Sequence, residues 1–256
     1  MSQLDVAAAA GTTSRHLSFV ETGRSRPGRD LVLRLADVLA VPLPERNALL
    51  AAAGLPAAFA EHDLGSSELA AVETVLTQVL ARHEPYPAWV VRRPFTFLRA
   101  NQAAEALFPG LTALTPEQVV DLWFGPGPFR DSVQNWPDVL RAGIEALRRD
   151  ALATDDPQTL TLLRRAEAAA GPQPTAGLPQ HSDPSATSPV VCPVFTIDGQ
   201  TVRTISAVMT FDAAVEVTTS QLRIELMFPA DQTADTFFHQ LTERLTSPAG
   251  GPTPRS

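Results

Sequence analysis

Residues 3–27 read QLDVAAAAGTTSRHLSFVETGRSRP, and the two short helical stretches they contain, joined across a glycine, decide the fold of the N-terminal part. Ser2 is a helix-capping residue type, so a helix from Gln3 to about Ala9 is predicted. Gly11 ends it, since only glycine adopts the left-handed conformation cheaply. Thr12 or Thr13 caps a second helix through Arg15, Leu17, Val20 and Glu21, and Gly23 stops it. Two helices across such a turn form a helix-turn-helix pattern. Its early outward positions, Ser14, Arg15, Ser18 and Phe19, are those that reach base edges in a major groove. Arg24, Arg26 and Arg29 follow, placed for phosphate oxygens. Residues 12–29 hold four Arg against Glu21 alone, a net of +3 within a chain of net charge −8. That asymmetry favours duplex DNA; the plain alternative is a small helical bundle with a solvated arginine loop.

Composition bounds the rest. A chain of 256 residues has length for one or two domains. Its 44% hydrophobic and 19% charged residues describe a globular bulk, and 23 Pro against 14 Gly predict at least one unfolded connection. All 20 basic residues are Arg, which excludes Schiff-base, pyridoxal-phosphate and phosphate-loop lysine chemistry. The lone Cys192 allows neither an intrachain disulfide nor an all-cysteine metal site. The histidines show no metal-ligand spacing and no titratable dyad stands out, so no metal, cofactor or enzymatic activity is expected. No apolar run reaches the length of a membrane span and the first residues lack a signal-peptide pattern, so a cytoplasmic protein without a membrane partner is expected.

After the arginine loop, a helix from Asp30 puts Leu31, Leu35, Val38 and Leu39 on one face. Glu45 to Ala53 forms a last helix before Gly54, and the first domain closes at about residue 57. A second domain spans 62–246. It opens with a helix capped by Ser66 or Ser67 and patterned by Leu69, Val72, Leu76, Val79 and Leu80. β-rich runs at 88–91 and 95–98 follow, then helices at 101–108, 116–124 and 137–152. Asp155-Asp156-Pro157 reads as an acidic cap before a proline-started helix rather than as a catalytic carboxylate pair. That helix fades into 171–189, a proline-rich segment expected to be disordered. Val190 to Ile197 and Thr201 to Phe211 flank Asp198-Gly199, a tight-hairpin dipeptide. Leu222 to Phe228 adds a strand, and an amphipathic helix with Phe237, Phe238, Leu241 and Leu245 precedes a frayed tail, 247–256. The fold class is α+β: an all-α helix-turn-helix domain, then a mostly antiparallel sheet of about five strands with flanking helices.

Gln3 to Ala7, Gly11 to Ser18 and Glu21 to Pro27 together resemble the λ-repressor-like, Cro-type (xenobiotic-response-element) family of DNA-binding modules. The resemblance implies phosphate contact by Gln3 and base contact by Ser14, Arg15 and Ser18; Thr13, Arg24 and Arg26 complete the candidate DNA-contacting set. His83-Glu84-Pro85-Tyr86-Pro87-Ala88, Ala100-Asn101-Gln102-Ala103-Ala104, Phe124 to Arg130 with Asn135-Trp136, and Leu222-Arg223-Ile224-Glu225 with Phe228-Pro229-Ala230-Asp231 are similar to landmarks of the MmyB-like regulators. Those regulators join such a module to a PAS-like ligand-binding domain. The resemblance implies a homodimeric transcription regulator on palindromic operator DNA, with a cavity for a small apolar, fatty-acid-like ligand. Trp89, Phe97, Trp123, Phe129, Trp136, Phe195 and Phe211 are its candidate lining, with Arg130 as polar anchor.

For each of these aromatics the plain alternative is ordinary core, and for Arg130 a surface ion pair. Glu225 and Asp231 read as strand-exit and helix-capping residues, and Cys192 as a small buried hydrophobe. The Cro-type family has a further helix ahead of the first one here. Without it Glu21 is expected to lack its arginine partner, and the apolar backs of the remaining helices to lack cover. A start set too late and a truncated member both fit; the intact reading pattern downstream favours the first. If DNA binding is lost, the chain becomes a ligand-binding or dimerising protein that sequesters a full-length relative.

Overall fold

The computed structural model describes residues 1–154, 156–171 and 191–246. The chain divides into two compact units: Met1–Glu73, Leu152–Thr154 and Phe211–Gln221 form one, and the remainder forms the other. The proline-rich segment from 172 onward and the 247–256 tail, both expected to be unfolded, lie outside the described residues, as does Asp155.

In the first unit, α1 (Gln3–Ala9) starts at a capping box: Ser2 Oγ accepts the Asp5 N–H while the Asp5 carboxylate accepts the Ser2 N–H. Gly11, at φ +63°, turns the chain, and α2 (Ser14–Glu21) begins at Thr13, whose hydroxyl accepts the His16 N–H at 3.1 Å. α3 (Arg29–Val38) buries Leu31, Val32 and Ala36, and α4 (Leu43–Ala52) buries Leu50. Arg34 Nε donates to the Ala10 carbonyl at 2.7 Å, giving a charged partner to an oxygen that the end of α1 leaves free.

The rest of the chain carries α5 (Ala70–His83), β1 (Ala88–Arg92), β2 (Thr96–Ala100), α6 (Gln102–Leu107), α7 (Pro116–Phe124), α8 (Pro128–Ser132), α9 (Trp136–Thr154) and α10 (Pro157–Ala170). β3 (Val194–Ile197), β4 (Gln200–Thr210), α11 (Val217–Gln221), β5 (Leu222–Pro229) and α12 (Gln232–Thr246) follow. The sheet has five strands in the order β2-β1-β5-β4-β3, and every neighbouring pair is antiparallel, as the strand pattern predicts. Asp198 and Gly199 both take positive φ, +50° and +75°, which matches the twist of the flanking β3 and β4. Asp156 caps α10 by accepting the Thr159 N–H at 2.8 Å. α8 and α11 were not expected from the sequence; at five residues each they are shorter than the window in which helical periodicity shows.

The core of the second unit is built on one face of the sheet, where Trp89, Val91, Phe97, Phe195 and Met227 meet Leu111, Phe124, Phe129, Trp136, Leu140 and Ile144. One polar residue organises the edge of this core. Asn101 is buried, and its Oδ1 accepts the Ala88 N–H at the start of β1 and the Ala104 N–H of α6, both at 3.0 Å. Its Nδ2 donates to the Tyr86 carbonyl at 2.8 Å. One amide thus closes the ends of β1 and β2 onto the first turn of α6. Asn101→Leu leaves two buried N–H groups without partners and is expected to cost about 1–3 kcal/mol for each. Urea unfolding should show a lower midpoint with an unchanged slope.

Candidate DNA-reading surface and ligand cavity

Arg15, Arg24, Arg26 and Arg29 are all exposed, and none makes an ion pair among the described residues. The Arg15 guanidinium lies 5.3 Å from the centroid of the Phe19 ring one turn later, which steadies it at the helix surface. Ser18 is half-buried beside it, and Thr13 is occupied as the cap of α2.

Two residues of the expected DNA-contacting set are placed differently. Ser14 Oγ is buried without a partner, so this hydroxyl is turned away from the surface on which Arg15 stands. Gln3, expected on phosphate, donates its Nε2–H to Glu21 Oε2 at 2.6 Å. The packing of α1 on α2 brings the start of one helix beside the end of the other. Glu21, expected to lack its arginine partner, forms no ion pair with an arginine among the described residues but accepts this hydrogen bond from the neutral Gln3 amide.

The apolar backs of these helices border a cleft of about 600 Å³ lined by Val6, Leu17, Val20, Leu35, Leu39 and Leu49, among others. Leu39 is 55% exposed and Leu49 43%.

The second unit holds a cavity of about 390 Å³. Of the expected lining, Trp89, Trp123, Phe129 and Phe195 border it, joined by Val91, Phe95, Phe108, Leu140 and Val208. Trp123 and Phe129 stack at 5.4 Å, and Phe108 lies 5.8–6.2 Å from the rings of Trp89, Trp123, Phe129 and Phe195.

The other expected residues lie elsewhere. Phe97 and Trp136 are buried one layer back, 5.7 Å from Trp123 and 6.0 Å from Phe129 respectively. Phe211 belongs to the first unit, because β4 ends at Thr210 and the chain leaves the sheet there. Arg130 is exposed and does not line the cavity; its guanidinium lies 5.9 Å from the Trp136 ring centroid. On the short α8, Phe129 takes the inward position, which turns its neighbour outward.

The cavity's polar end is instead Asp150, Arg223 and Glu225. Arg223 Nη2 donates to Asp150 Oδ2 at 3.1 Å, and Arg93 Nη1 sits 3.7 Å from Oδ1. Glu225, read from sequence as a strand-exit residue, lies in the middle of β5 opposite Trp89 on one side and Val208 on the other. Asp231 caps α12, accepting the Ala234 N–H at 2.9 Å. Cys192 is buried and its Sγ accepts the Ser206 N–H at 3.2 Å.

An MmyB-like transcription regulator ligand binding domain profile matches residues 72–241, about two thirds of the chain, and a helix-turn-helix domain profile matches residues 1–49. The chain belongs to the MmyB-like family of ligand-binding transcription regulators. No match is found among curated proteins. Both matched families are regulator domains. Among the described residues no helix is long and apolar enough to cross a membrane, and no group of three His, Cys, Asp or Glu could hold a metal ion.

The residues of this MmyB-like domain that sequence reasoning missed share one signal. In β5, Arg223, Glu225 and Met227 alternate with the buried Leu222 and Ile224. A two-residue period assigns them to one face, but it does not distinguish a cavity from solvent. Asp150 sits near the end of the helix 136–154 and carries no local signal.

The connection between β4 and β5, residues 211–221, lies in the first unit. There Glu216 accepts the backbone N–H of His62 at 2.8 Å and of Thr219 at 2.6 Å, Thr218 Oγ1 donates to the His62 carbonyl, and Val217 N–H donates to Ala60.

Burial acts to raise the Glu216 carboxyl, but the donors from Thr219 and His62 outweigh it and hold the group below its ordinary range. Glu225 is the opposite case: burial pushes its carboxyl up, offset only in part by Arg223. A lowered carboxyl pKa stabilises the fold above the unfolded-state value and ceases to do so as pH falls through the folded one; a raised one costs stability as pH climbs past the unfolded value and nothing below it. Glu216→Gln should therefore be less stable than the parent chain at pH 7, with the gap closing towards pH ~4. Glu225→Gln should gain on the parent chain over the same upward change of pH. Thermal unfolding at stepped pH measures both.

Proposed function

We propose that the chain is a one-component, cytoplasmic transcription regulator of the Cro type. Its N-terminal unit reads palindromic operator DNA as a homodimer, and a small, largely apolar, chain-like ligand in the PAS-like domain shifts the population of binding-competent arrangements. No chemical step is assigned to it. The observation that carries this reading is the set of four exposed arginines, 15, 24, 26 and 29, without an ion pair among the described residues, on and just after the second helix of the helix-turn-helix in a chain of net charge −8. A solvated structural loop has no requirement for such local charge, whereas a polyanion does.

Chain continuity supplies a route for coupling. β4 contributes Ser206 and Val208 to the cavity and β5 contributes Arg223 and Glu225. The eleven residues between these strands, 211–221, belong to the first unit and are held there through Glu216 and Thr218. A ligand that favours one spacing of the two strands thereby biases the segment joining them.

Selection of bound duplexes from a random DNA library tests the reading, with symmetric half-sites as the expected product. Arg15→Ala should relax preference at one base position by about 1–3 kcal/mol. Arg24→Ala and Arg26→Ala should weaken binding to all duplexes alike and lower the slope of log K against log salt by about 1 each. Failure to recover any preferred duplex would favour the sequestering role instead.

A further inference from the structure

The polar end of the ligand cavity is unequally provided. Asp150 is paired with Arg223 and, more distantly, with Arg93. Among the described residues Glu225 accepts no hydrogen bond, and the charge acting on it is that of the neighbouring Arg223. Protein encloses its carboxyl almost fully, yet the residue keeps accessible surface because it borders the cavity.

Donors without partners also lie nearby: Trp89 Nε1, Trp123 Nε1 and Arg223 Nε. All three are covered by neighbouring protein atoms, so none of these N–H groups is offered to the cavity space. The Glu225 carboxyl is.

Charge placement points the same way. Of the groups at this end, Arg223 gives its hydrogen bond to Asp150 and Arg93 also approaches Asp150, and among the described residues neither guanidinium forms an ion pair with Glu225. A ligand carboxylate beside Glu225 would set two acidic groups together in a wall of Trp, Phe, Val and Leu, where like charges are poorly screened. A ligand ammonium would supply Glu225 with the donor it lacks and with an opposite charge. β5 holds Glu225 between Trp89 and Val208, so a group bonded to it has its apolar remainder against the aromatic wall.

The geometry points to a lipophilic amine as the ligand class, with the protonated nitrogen donating to Glu225 and the hydrocarbon body packed among Trp89, Phe108, Trp123 and Phe129. This inference rests on the reading of the cavity as the ligand site, and it replaces a fatty-acid-like ligand by one of opposite charge.

The test uses the full chain and three probes of equal chain length: decylamine, 1-decanol and decanoate. Binding is followed by calorimetry and by the fluorescence of Trp89 and Trp123, which border the cavity. Decylamine should bind about tenfold or more tighter than decanoate. Glu225→Gln should remove the advantage of the amine over the alcohol, lowering amine affinity by about tenfold or more. Glu225→Leu should do the same, and circular dichroism shows whether each variant is folded. Equal or tighter binding of decanoate to the parent chain overturns the proposal, as does an amine preference that survives both substitutions. If none of the three probes binds, the cavity is not an apolar ligand site, and the failure lies with that reading rather than with the choice of headgroup.

Discussion

The two-residue period of β5 is the constraint on which the ligand-binding unit depends. This strand lies between β1 and β4 at the centre of the sheet, so neither of its faces is free to accept polar side chains without consequence. Leu222 and Ile224 take one face and are fully buried. Alternation then sends Arg223, Glu225 and Met227 to the other, where the aromatic core sits. A slip of one residue would put two charged groups into the packed face and two aliphatic groups into the cavity, so the register is strongly specified. The cavity's polar end follows from this register rather than from any loop.

Placing charges there requires partners. Arg223 finds Asp150, near the end of the long helix, and Arg93 approaches the same carboxylate from the outside. Half-burying the pair is tolerable because each charge meets an opposite one. Among the described residues Glu225 has no hydrogen-bond partner, and it borders the cavity. In a binding domain this is intelligible: an enclosed group that protein does not satisfy is available to a ligand, and a group already satisfied is not. Arg130 shows the contrast. It has the charge that an anionic ligand needs, but a short helix turns it to solvent, where water already solvates it.

The N-terminal unit is organised by local rules. Its helices are short, and each begins or ends on a recognisable device: the Ser2–Asp5 capping box, the Gly11 turn, the Thr13 cap, and Arg34 on the carbonyl of Ala10. Such devices fix helix boundaries at modest free energy each, typically about 1 kcal/mol for a cap. They leave the outward face of α2 free for charge, and the Gln3–Glu21 hydrogen bond holds α1 to α2 without using any of the four arginines. The segment 211–221 adds a non-local element to this unit, since Glu216 bonds to the backbone of His62, far from it in the chain.

Read alone, the sequence determined the helix-turn-helix, its arginine asymmetry, the hairpin at Asp198-Gly199, the Asp156 cap and an antiparallel sheet of about five strands, because each rests on turn chemistry or periodicity within a few residues. It also pointed to four aromatics that border the cavity. The tertiary structure decided the rest. Phe97 and Trp136 stand one layer back, and Phe211 and Arg130 lie elsewhere; hydrophobicity says that a ring is buried, not what it faces. Asp150, Arg223 and Glu225 form the polar end because a sheet register and the end of a distant helix bring them together. Alternation in a strand distinguishes one face from the other, but only packing makes one of those faces a cavity.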